Sequence, residues 1–62
     1  MNLYKTYYFW LDVQREMRAD CSMIAAISAI FERRTNDNIL AIRDGASELI
    51  TLCNEVIGDR QV

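Results

Sequence analysis

Between Leu3 and Arg34 the chain contains neither glycine nor proline, and its 62 residues include no proline at all. A stretch of that length with nothing to interrupt the backbone hydrogen-bond ladder is expected to be helical. The only turn-rich segment is Thr35-Asn36-Asp37-Asn38, whose side chains readily bond nearby backbone N–H groups. A second helical segment follows, and Gly58 stands where a helix-terminating glycine belongs. The expected organisation is one domain: helix 1 over about 3–34, a turn at 35–38, helix 2 over about 38–57, and a polar tail at 58–62.

Apolar periodicity supports two amphipathic helices. In helix 2, Ile39, Ile42, Ala46, Leu49, Cys53 and Val56 alternate at spacings of three and four, an a/d stripe with no polar member. In helix 1, Trp10, Met17, Ile24 and Phe31 recur every seven residues, with Val13 and Ile27 at the intervening d positions and Asp20 as the exception. Phe9, Met23 and Ile30 widen that stripe. Two such helices joined by a short turn form an antiparallel hairpin. Folding it about Asn36 sets Phe31 opposite Ala41 or Ile42, Ile27 near Ala46, Ile24 near Leu49, Cys21 near Cys53 and Met17 near Val56. The expected core is therefore Met17, Cys21, Ile24, Ile27, Phe31, Ile39, Ile42, Ala46, Leu49, Cys53 and Val56.

The two helices differ in length, about 48 Å against about 30 Å at ~1.5 Å per residue. The overhang falls on Tyr4–Leu11, YKTYYFWL, which holds five of the six aromatic residues. An uncovered aromatic cluster exceeds what soluble monomers expose. A chain of this size also buries only about 60% of its unfolded surface, and small domains recruit disulfides, metals or further subunits. A homodimeric helical bundle follows as the expectation, with Tyr4, Tyr7, Tyr8, Phe9, Trp10 and Leu11 as its dimer or partner interface. A competing local reading makes Leu3–Val13 a strand, since aromatics favour strands. A ribbon–helix–helix DNA-binding dimer would then follow, although neither alternating set of side chains forms a polar reading face.

Composition removes several functions. With no histidine, the commonest general base is missing. Two cysteines do not make a structural zinc site, and no phosphate-binding glycine loop occurs. No enzyme activity, metal or cofactor is expected. Asp12, Glu16 and Asp20 share a helix face with Arg15 and Arg18 and are expected to be solvated. Asp20, at a core position, needs Arg43, an N–H donor or water if it is buried. Both thiols are expected as small core hydrophobes. Gly45-Ala46-Ser47 makes a small-residue patch suited to close helix approach, with Met23, Ile27 and Ile30 opposite. A formal net charge of −2 argues against phosphate or membrane-surface binding. The longest charge-free apolar run, MIAAISAIF, is too short to span a bilayer. No signal peptide is evident, so the expected location is the cytoplasm.

Two resemblances add to this. DGASELITLCNEVIGD is similar to the second helix of the Rop-type plasmid-copy-number RNA-binding proteins, on the acidic residue near Ala46, Glu48-Leu49, Cys53 and Gly58-Asp59. It implies an antiparallel dimer of helical hairpins. The first helix departs from that family's RNA-contacting pattern. YKTYYFWLDVQREMRADCSMIAAISAIFERR resembles the small early proteins of lambdoid phages encoded between exonuclease and excisionase genes. That resemblance implies a non-enzymatic modulator of host physiology or phage development, acting on a host protein in the host cytosol. The rival reading is an RNA- or DNA-binding regulator using Lys5, Arg15 and Arg18 beside the aromatics.

Overall fold

Three helices follow one another in the computed structural model, which describes residues 2–17 and 22–61. They are α1 (Leu3–Glu16), α2 (Met23–Glu32) and α3 (Asn36–Arg60). No strand occurs among the described residues, so Leu3–Val13 is helical despite its aromatic content.

The expected single helix over 3–34 is two helices. α1 ends at Met17, whose backbone is extended. α2 restarts behind Ser22, whose hydroxyl accepts from the Ala25 N–H in a regular N-cap. The reason lies in what the break brings together. Phe9 and Phe31 stack with ring centroids 5.1 Å apart. Along one continuous helix, 22 residues would separate them by about 33 Å. Arg34 binds the Asp12 carboxylate across the same interval, and Arg33 binds Glu16 at 2.6 Å. Unbroken helix would forfeit all three contacts and the burial of Val13 and Ile30.

The turn expected at 35–38 is shorter than that. Thr35 caps α3 by accepting from the Asn38 N–H, and Asn36 is already helical. Asp37 in the first turn and Arg60 in the last complement the helix dipole. Gly58 does not end the helix: α3 runs through it to Arg60. A glycine permits a C-terminal cap but does not impose one, and no residue of positive φ occurs among those described.

The arrangement is hairpin-like, but α1 rather than α2 lies along α3. Leu3 sits beside Glu48, Thr51 and Leu52, Thr6 beside Ile42 and Gly45, and Asp12 beside Arg34, so α1 runs antiparallel to α3. α2 also packs on α1, and α1 rather than α2 supplies most of the contact with α3. The Cα atoms span 43 × 28 × 14 Å, an elongated shape.

Gly45 sets how closely the two helices approach. The small-residue patch does receive another helix, but the visitor is α1 through Asn2 and Thr6, not Met23, Ile27 and Ile30. At that crossing the Thr6 hydroxyl donates to the Ile42 carbonyl at 2.8 Å. Thr6→Val keeps the shape and removes the bond, and is expected to cost about 1 kcal/mol. Urea unfolding followed by helical circular dichroism measures it; no change would mean water replaces the hydroxyl without loss.

The core is small: Val13, Ala26, Ile30 and Ile42, with Val13 fully shielded. Of the expected core, among the described residues, only Ile42 is buried; Ile27, Phe31, Ile39 and Ala46 are half-buried. Met17, Ile24, Leu49, Cys53 and Val56 are exposed, Ile24 at 77%. The expected hairpin paired these with a partner helix that lies elsewhere. Cys21, Asp20 and Arg18 lie outside the described residues, so the Cys21–Cys53 proximity and the burial of Asp20 do too. Arg43 pairs with its neighbour Asp44 at 3.1 Å.

Candidate interaction surface

The overhang exists, but it belongs to α3. At ~1.5 Å per residue α3 is about 37 Å long and α1 about 21 Å, so α1 covers only part of it. Leu3 reaches the level of Leu52. Beyond that point every α3 residue is exposed, Val56 and Ile57 included. Ile42, Gly45, Leu49, Leu52 and Val56 follow one another at i, i+3, i+7, i+10 and i+14, a single helix face. The face that α1 occupies at Ile42 and Gly45 therefore continues bare. Leu49, Leu52, Cys53, Val56 and Ile57 line a shallow apolar groove of about 380 Å³ along it.

A second groove lies where α1 crosses α3. Leu3, Thr6, Tyr7, Phe9, Trp10 and Leu49 enclose about 400 Å³ with almost entirely apolar walls. The helical spacing of Leu3, Tyr7 and Trp10 places them on one side of α1, beside Leu49. Tyr4, Tyr7, Tyr8 and Trp10 are exposed, Tyr4 at 66% and Trp10 at 43%, while Phe9 and Leu11 are half-buried. Tyr7 and Tyr8 meet edge to face at 5.3 Å. Phe9 serves the fold through its stack on Phe31. The aromatic segment expected to hang free is folded back, and it presents tyrosine and tryptophan around a groove instead. Leu49 belongs to both grooves, which makes the apolar surface continuous.

The signal for this surface was the unbroken apolar stripe of helix 2. Its assignment to the core assumed that a helix of the same chain covers it. The residues that sequence reasoning missed are Leu52 and Ile57, which widen the stripe, and Leu3, which joins it to the aromatic groove.

The charges at the C-terminal half of α1 are paired. Asp12 receives Arg34 and, at 3.6 Å, Arg15. Glu16 receives Arg33. These are partly or largely exposed pairs, each worth about 0–1 kcal/mol. Lys5 and Arg15, two of the three residues named for nucleic acid, are exposed on α1, and Arg15 shares Asp12 with Arg34. Among the described residues no His, Cys, Asp or Glu cluster is arranged to hold a metal ion. None of the described helices is long and apolar enough to cross a membrane.

No protein-family model, curated protein or solved structure matches this chain.

Proposed function

We propose that this chain is a small, non-enzymatic regulatory protein that acts by protein–protein contact. The observation that carries the reading is the continuous apolar surface running from Tyr7 and Trp10 through Leu49 to Ile57. Domains ordinarily bury their apolar faces between two or three layers. In this chain the apolar face of α3 from Leu49 to Ile57 has no such cover, and a partner supplies it. Aromatic rims around a concave apolar pocket are typical of protein-binding hot spots. The phage early-protein resemblance suggests the setting: a phage-encoded modulator working on a host protein in the host cytosol. Self-association belongs to the same proposal, because a core of this size is marginal alone.

A tagged protein incubated with bacterial lysate, with and without nuclease, tests this when set beside a Tyr7→Ala/Trp10→Ala variant. Both side chains are exposed, so the variant is expected to keep its helical circular dichroism. The expected result is a host protein captured by the wild type, resistant to nuclease, and reduced at least about tenfold by the double substitution. Capture that disappears with nuclease would put the nucleic-acid reading, through Lys5, Arg15 and Arg18, in its place.

A further inference from the structure

We infer that the bare C-terminal half of α3 is a self-association face. On it, two copies of this chain pair antiparallel, with Cys53 of each opposite Val56 of the other. The inference deepens the interaction-module reading by assigning the two grooves separate roles: the α3 stripe to a second copy, the aromatic groove to the other partner.

Area is the first argument. A folded monomer of this mass exposes about 4,100 Å² by the usual size scaling. This chain exposes 5076 Å². The difference, about 1,000 Å², is close to the ~800 Å² that each partner contributes to a standard interface. The radius of gyration agrees, at 14.0 Å against about 10.6 Å for a globular chain of this length. The excess is therefore of the size that one protein interface removes.

The second argument is the protruding helix itself. Past Leu52 every described α3 residue is exposed, and helical segments of that length are marginal in isolation. The stripe on it is straight, lies on one helix, and is flanked by Asn54 and Glu55. Such a stripe is complementary to a copy of itself, as an isologous contact requires. In heptad terms Cys53 is an a position and Leu49 and Val56 are d positions. Antiparallel packing layers a against d, giving Cys53 on Val56 and Leu52 near Ile57.

Charge chooses the direction. Arg60 lies on the stripe, four residues beyond Val56, and Glu48 flanks its other end. Antiparallel pairing in this register sets Arg60 over Leu49 of the second copy, beside its Glu48. Parallel pairing stacks Arg60 on Arg60.

Sedimentation equilibrium across about 1–100 µM tests the pairing, with circular dichroism to show that each variant stays helical. The wild type is expected to dimerise. Val56→Glu is expected to weaken the dimer at least about 30-fold, because it puts a carboxylate into the centre of the contact. Thr51→Glu, on the opposite face, is expected to leave it unchanged. Arg60→Glu is expected to weaken it about fivefold, and adding Glu48→Arg to restore it. A wild type that stays monomeric, or a Val56→Glu variant as dimeric as Thr51→Glu, overturns the interface. Failure of Glu48→Arg to restore the Arg60→Glu dimer overturns the antiparallel direction. A monomeric wild type that still captures a protein through Tyr7 and Trp10 overturns this pairing alone and leaves the interaction-module reading standing.

Discussion

Gly45→Ala is expected to separate α1 from α3 and to destabilise the chain by about 2–3 kcal/mol, while Gly58→Ala stabilises it by up to about 1 kcal/mol. Both glycines lie inside the same helix, so their intrinsic helix propensities are identical. In each case alanine reduces the backbone entropy lost on folding. What differs is the space around the new methyl group. At Gly58 it meets nothing within 4 Å. At Gly45 it would overlap the Thr6 hydroxyl and the Asn2 carbonyl. The hydroxyl can rotate away, at the loss of its bond to Ile42, but the Asn2 carbonyl is backbone and moves only if the start of α1 moves. Displacing α1 opens the aromatic groove as well, because Leu3, Tyr7 and Trp10 travel with it. For a 62-residue chain the total stability is of the order of 3–9 kcal/mol, so the Gly45 loss consumes a large share. Urea unfolding of the two variants at one protein concentration measures the difference; effects of the same sign would refute the close crossing.

Ile30→Ala is the second large effect, an expected loss of about 3 kcal/mol. Ile30 is one of four buried hydrophobic residues among those described and is 1% exposed. Truncation removes its burial free energy and leaves a void in a core too small to refill it. The comparison that makes this decisive is Ile24→Ala on the same helix. Ile24 belongs to the heptad stripe that ranks it as core, yet it is 77% exposed. Its truncation is expected to change stability by no more than about 0.5 kcal/mol. A continuous helix 1 in a simple hairpin predicts the reverse order. Thermal unfolding of both variants, again at one concentration because association shifts the midpoint, separates the two packings.

That reversal shows how far the residue pattern reaches. Helix content was legible almost residue by residue, because the absence of proline and the three- and four-residue spacing are local properties. Thr35 as a cap was half legible: its segment reads as a turn, but Asn36 and Asp37 are equally good turn residues, and only the Asn38 N–H shows which side chain caps. The break near Met17 left no local mark. Ser22 is a good N-cap, but a serine inside a helical pattern is also ordinary, and the glycine-free run across it reads as continuous. The candidate surface was legible as an apolar stripe and misassigned as core, since a stripe records only that something covers it.

The sequence by itself determined that this chain is helical, that its helices are amphipathic, and that the last helix carries an apolar stripe unbroken by polar residues. Those follow from propensity and periodicity, which act over a few residues. The tertiary structure alone decided that α1 folds back on α3, that Asp12 and Glu16 meet Arg34 and Arg33, and that the bare end of the stripe runs from Leu49 to Ile57. These depend on contacts between residues 17 or more apart in the chain. Their free energies are compared only when the whole chain closes on itself, and the choice here turned on a close approach at Gly45 and a small core around Val13 and Ile30.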